Sequence, residues 1–133
     1  VEPFDLPFAT LVHPSARISS TSPIGVGAIV SAGVIVAAQS EIGSHTILNR
    51  GVLIGHHTRI GRYVTVSPGA NIAGKCVIED GCYVAMGAIV LDGRRVGRGS
   101  VIAAGSLVTR DGPENVQVMG SPARIKKEGV DGR

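Results

Sequence analysis

The chain has 133 residues, 44% hydrophobic and 17% charged, which is the length and balance of one folded domain and excludes disorder as its main state. A net charge of +3 comes from scattered basic residues with no aromatic–basic stripe, so no nucleic-acid partner is expected. No apolar run approaches the roughly 18 residues of a membrane span, and no leader pattern opens the sequence, so neither membrane nor export is expected.

The apolar residues are unusual in kind: Val and Ile far outnumber Leu, beside 19 Gly, no Trp and only Phe4, Phe8, Tyr63 and Tyr83 as aromatics. Such a composition favours strands and a narrow core filled by β-branched side chains. From Leu6 onward, every sixth position through Val108 is Ile, Leu or Val. Two residues before each aliphatic from Ile18 to Val108 stands a small residue, from Ala16 to Ser106, with Arg94 the exception. Positions two apart share a face of a strand, so each six-residue unit is a short strand followed by a corner. Gly25, Gly43, Gly55, Gly61 and Gly97 follow the aliphatic residue, and Pro14 and Pro68 stand two after it, where the chain must turn. Coils of such units stack by parallel pairing into a β-helix. Three sides per coil make 18 residues a turn, although the period alone leaves the side count open.

In chain order, residues 1–12 are expected to be a residual linker, 13–111 the β-helix, and 112–133 a C-terminal cap with a basic tail. His13 beside Pro14 is expected to serve a turn. His45, eighteen residues before Tyr63, is expected to lie under that ring. Asn49 follows an inward Leu48 and has no core role. His56 and His57, the second and third residues after Ile54, project from the outside of the prism. Gly74, eighteen residues beyond His56, should stack directly on it, and Met86 and Ala104 are expected to continue the same column. Cys76 and Cys82 occupy inward small slots, as packing rather than redox residues. They form no CxxC or zinc-type spacing, so no metal is expected, and sparse cysteine fits a reducing cytoplasm. Arg94 at an inward position is expected to distort the coil and be expelled, because a lone buried guanidinium is costly.

The motif of Ile, Leu or Val, then Gly, then small residues resembles the hexapeptide-repeat acyltransferases. The segments LVHPSARIS (11–19), LNRGVLIGHHTRIG (48–61), VSPGANIAGKCVIEDG (66–81) and VTRDGPENVQVMGSPAR (108–124) resemble their sugar O- and N-acetyltransferase subgroup. The resemblance implies an all-β, left-handed parallel β-helix of about five to six coils, closed by a capping loop or short helix, that assembles as a homotrimer with intersubunit sites. It implies acetyl-CoA as co-substrate and a nucleotide-linked amino sugar, of the UDP-4-amino type, as acceptor. O-acetylation of a sialic acid or another sugar hydroxyl, or a non-catalytic scaffold, are the alternatives.

Residue by residue, the resemblance makes His56 the general base and brings Asn49 near the acceptor. It brings Thr65, Gly74, Met86 and Ala104 toward acetyl-CoA, with Thr65 standing where relatives carry a second histidine. The Gly74 N–H is the expected oxyanion donor. The closing loop Gly120, Ser121, Pro122 and Ala123 resembles one that lies near the adenine end of CoA, and Arg124, Lys126 and Lys127 are expected at its phosphates. The residue after the base is usually acidic in the subgroup and orients the imidazole; here it is His57, and Glu41 or Asp80 are the candidate carboxylates from elsewhere to substitute for that acid. Subgroup members usually also carry an N-terminal Rossmann-like half. Only about a dozen residues precede His13 here, as in a short form or an excised domain.

Overall fold

In the computed structural model, which describes residues 7–132, the six-residue pattern becomes strands of two residues separated by four-residue corners. Leu6 and the first six residues of the expected linker lie outside the described residues. Three sheets form the sides of a prism. The first stacks Leu11–Val12, Ile29–Val30, Ile47–Leu48, Thr65–Val66, Tyr83–Val84, Val101–Ile102 and Val116–Gly120 in parallel, and Ala123–Glu128 adds antiparallel. The second stacks Arg17–Ile18, Ile35–Val36, Leu53–Ile54, Asn71–Ile72, Ile89–Val90 and Leu107–Val108. The third stacks Glu41–Ile42, Arg59–Ile60, Val77–Ile78 and Arg95–Val96. Partners such as Ile29 and Ile47, or Leu53 and Asn71, are eighteen residues apart, which fixes three sides per coil. The molecule is a left-handed parallel β-helix of about six turns with no helix among the described residues.

The second residue of each pair points into the bore. Val30, Leu48, Val66, Ile72, Val84, Val90 and Ile102 are at most 1% exposed, so the aliphatic column is the core. Fully burying each such side chain contributes about 1.5–3 kcal/mol. The small inward positions do more than leave room. Thr58 Oγ1 donates to Ala73 O at 2.8 Å and accepts from the Cys76 N–H at 3.2 Å, and Ser40 makes the same pair of bonds to Gly55 O and the Thr58 N–H. A hydroxyl thus replaces the backbone bond that a corner interrupts, as buried polar groups require. Cys76 and Cys82 take the donor half of this role, with Sγ 3.1 Å from Leu91 O and from Gly97 O.

The structure corrects three expectations. The cap is a β-hairpin, Val116–Gly120 against Ala123–Glu128, rather than a loop or short helix. Met86 and Ala104 do not continue the His56–Gly74 column. Backbone bonds link Lys75 to His56 and Gly93 to Gly74, whereas Gly87 bonds Pro68 and Gly105 bonds Met86. Met86 and Ala104 therefore belong to the corner between the first and second sheets, above Arg50 and Pro68. The reason is arithmetic: Met86 stands twelve residues after Gly74, two sides of a three-sided coil. Arg94 leaves the bore without distorting the coil. Its Nε donates to Asp92 O at 3.2 Å and its guanidinium lies 3.8 Å from Asp111, while Arg95–Val96 keeps its parallel register with Val77–Ile78.

Candidate functional site at the His56 corner

The third residue of each corner adopts a left-handed conformation, with φ between 55° and 77° in the run from Gly27 to Gly105. Glycine meets this demand at nine of those fourteen positions; Gln39, His45, His57, Tyr63 and Lys75 hold the other five. A side chain there costs roughly 1–2 kcal/mol, so each marks a place where something other than turn-making is served. Gln39, His57 and Lys75 share one corner, between the second and third sheets, and it is the corner that carries His56. The sequence reading missed Gln39 and Lys75, although the gap in the glycine column was legible.

His56 and His57 are both exposed. Their Nδ1 atoms lie 3.0 Å apart and their rings meet edge to face at 87°. On its other side, the His56 ring covers Gly74: a Cβ built there would stand 2.8 Å from His56 Nε2 and 3.1 Å from two of its ring carbons. Gly74 does not have the positive φ of its neighbours in the turn, so close approach of the imidazole, rather than backbone freedom, is what calls for glycine. Gly74 is buried beneath the ring, and its N–H donates to no acceptor among the described residues. The His56 imidazole and the Gly74 backbone thus lie against each other, and a basic nitrogen beside an amide donor is the pairing that proton removal and oxyanion stabilisation require.

The remaining candidates are spread more widely. Asn49 is half-buried at the corner between the first and second sheets, where its Nδ2 donates to Val66 O at 3.1 Å. Exposed Met86 and Ala104 stand on that same corner, two and three coils on. Thr65 faces outward on the first sheet, between Ile47 and Tyr83. Arg124, Lys126 and Lys127 are exposed on the last strand, and Arg124 also lines a hollow of about 340 Å³ under the hairpin. One chain therefore brings together His56, His57 and Gly74, but not the others.

Neither expected substitute carboxylate reaches the histidines. Glu41 pairs with Arg59 at 3.2 Å, and Asp80 accepts the Arg62 N–H at 2.8 Å on a different corner. These residues belong to a larger groove, of about 460 Å³, along the third side, lined by Arg59, Arg62, Arg95 and Arg98 with Glu41, Glu79 and Asp80. Its acids engage arginines, Glu79 with Arg95 and with the Arg98 backbone, so it is a solvated ion-pair ladder. His45 does stack under Tyr63, at 5.0 Å between centroids, with Phe8 edge-on beneath it. His13 serves its turn, bonding Ser15 through Nδ1. No group of three or more metal-ligating side chains occurs among the described residues.

With this geometry in hand, known proteins add the following. Residues 75–110 match the family model described as bacterial transferase hexapeptide, six repeats. A search of curated proteins finds no match. Among solved structures, a histidine-to-asparagine variant of perosamine N-acetyltransferase from Caulobacter crescentus, in complex with CoA and GDP-perosamine, superposes with a TM-score of 0.90 at 33% identity, over 92% of this chain and 58% of that one. The acetyltransferase domain of PglB from Neisseria gonorrhoeae, in complex with acetyl coenzyme A, gives 0.89 at 29% identity, over 92% and 60%. WeeI from Acinetobacter baumannii gives 0.84 at 30%, over 86% and 57%. The chain spans somewhat under two thirds of the length of these structures.

Proposed function

We propose that this chain, a β-helix carrying the hexapeptide repeat of bacterial transferases, is the acyl-transferring part of an acetyl-CoA-dependent N-acetyltransferase whose acceptor is the amino group of a nucleotide-linked sugar. The single observation that carries the reading is the His56 imidazole lying over Gly74, whose N–H donates to no acceptor among the described residues. Likeness to structures that hold CoA or acetyl-CoA supports the donor, and GDP-perosamine in one of them supports an amino-sugar acceptor.

In the proposed reaction the acceptor amine attacks the thioester carbonyl carbon while His56 Nε2 takes its proton. The C–N bond forms, and the carbonyl oxygen, now an oxyanion, accepts the Gly74 N–H. The C–S bond then breaks, and the imidazolium returns the proton to the departing CoA sulfur. Asn49, Met86 and Ala104 occupy a different corner from His56, so a complete site uses two copies of the chain, in a homotrimer. In it, Thr65, Met86 and Ala104 would flank the pantetheine arm, and Arg124 and Lys126 would meet the CoA phosphates.

The test is CoA release from acetyl-CoA in the presence of UDP- and GDP-linked amino sugars, with wild-type chain and with His56→Ala. The variant is expected to lose about 10²–10⁴-fold in turnover. Unchanged turnover would remove His56 as base, and absence of any acetyl-CoA binding would remove the reading as a whole.

A further inference from the structure

We infer that His57 is the positioning residue of His56, acting as a neutral hydrogen-bond acceptor for its Nδ1–H and so leaving the His56 Nε2 lone pair free above Gly74. The inference rests on the acetyl-transfer reading for the direction of the hydrogen bond and the use made of that lone pair, but not for the contact between the two rings.

Two imidazole nitrogens 3.0 Å apart can share a hydrogen bond only when one carries a proton and the other a lone pair. If His57 were the donor, the His56 lone pair would be spent at Nδ1, and its Nε2, the nitrogen against Gly74, would carry a hydrogen and accept nothing. If His56 is the donor, its Nε2 is the basic nitrogen, and His57 must hold its own proton on Nε2. Only this second arrangement leaves a basic nitrogen beside Gly74, where the acetyl-transfer reading needs one. Among the described residues no carboxylate takes the His56 Nδ1–H, since Glu41 is held by Arg59 and Asp80 lies on another corner.

The backbone supports the same conclusion. Position 57 needs a left-handed φ of 55°, which glycine supplies at nine equivalent corners, yet the chain keeps an imidazole there. The charged groups on the packed coils are Lys75, one coil above His57 at the same corner position, Asp92 and Arg94, on the next coil of that corner, and the Arg59–Glu41 pair on the adjoining strands.

Nitrogen-15 NMR of the labelled chain reads the tautomers directly. His56 is expected to carry its proton on Nδ1 and His57 on Nε2, and the His56 preference should be lost in His57→Gly, a substitution the left-handed backbone welcomes. In turnover, a proton on either ring disables the pair. The acid limb of kcat/KM is therefore expected to steepen toward a slope of two, and to fall to one in His57→Asp, which retains an acceptor and keeps activity within about tenfold. His57→Gly is expected to lose 10–100-fold in kcat with little change in the KM for acetyl-CoA. His56 found protonated on Nε2, or a wild-type rate in His57→Gly, would overturn the inference. Should no acceptor be turned over, the acetyl-transfer reading fails while the NMR result still decides the pairing.

Discussion

At the scale of single residues, position 57 sets stability against chemistry. Replacing a left-handed imidazole with glycine relieves roughly 1–2 kcal/mol of backbone strain, partly offset by the greater freedom of the unfolded chain. His57→Gly is therefore expected to unfold within about 1 kcal/mol of the wild type in urea while its turnover falls. A destabilisation of several kcal/mol would mean that the ring is structural. The cysteines offer an independent reading of the core. Burial pushes the Cys82 thiol up to about 11, and burial likewise raises Cys76. Between pH 9 and 11 the unfolded chain releases a proton that folded Cys82 retains, so the stability this gives is intact below pH 9 and is lost as the pH rises through about 11. A two-unit shift amounts to about 2–3 kcal/mol. Urea midpoints measured across that range should fall more steeply for wild type than for Cys82→Ala, and parallel curves would show that Cys82 is not buried as described.

At the scale of the repeating element, the corner is where the sequence was read well and where it was misread. The inward aliphatic column was legible because one residue in six must fill a narrow bore, and Gly74 was placed over His56 because eighteen residues is one full coil. Met86 was misplaced because the six-residue phase tells only the position within a corner, and two thirds of a coil leads to a different corner of the same phase. The cap escaped because the register shortens from eighteen to sixteen residues at the end, where Val101 pairs with Gln117. The hydroxyl ladder was hidden because Ser, Thr, Val and Ala look alike as small inward residues. Only at some corners does the side chain satisfy two backbone groups. Thr58→Val keeps the volume but leaves Ala73 O and the Cys76 N–H unpaired. Each buried unpaired group costs about 1–3 kcal/mol, so thermal or urea unfolding should register a loss of at least about 2 kcal/mol. Gly74→Ala separates fold from function on the same corner. The nearest atoms to its new Cβ belong to the His56 ring, so acetyl transfer should fall sharply while the unfolding midpoint moves little.

At the scale of the whole molecule, the three sides differ in chemistry. The third presents Glu41, Arg59 and Arg95 in ion pairs and is suited to water. The second presents Ile35 and Leu53 in adjacent coils and Ile89 two coils beyond Leu53, and the first Leu11, Ile29 and Tyr83; all six are between 37% and 57% exposed. Exposed apolar residues recur on two adjoining sides, with Met86 at the corner between them, the kind of surface that suits contact with another chain. The proposed trimer would bury these two sides and leave the third outside. This arrangement would bring the second-side edge of the His56 corner close to a neighbouring copy, consistent with a site shared between chains. Light scattering should then give the wild-type chain three times its 13.6 kDa. Leu53→Glu puts a charge in the apolar row three residues before His56 and should yield monomers with unchanged circular dichroism and weakened acetyl-CoA binding. Arg59→Ala, on the solvated side, should remain trimeric because it removes only an exposed ion pair. A monomeric wild type would confine the chemistry to what one chain brings together, namely His56, His57 and Gly74, and would leave Asn49 and Met86 with no part in it.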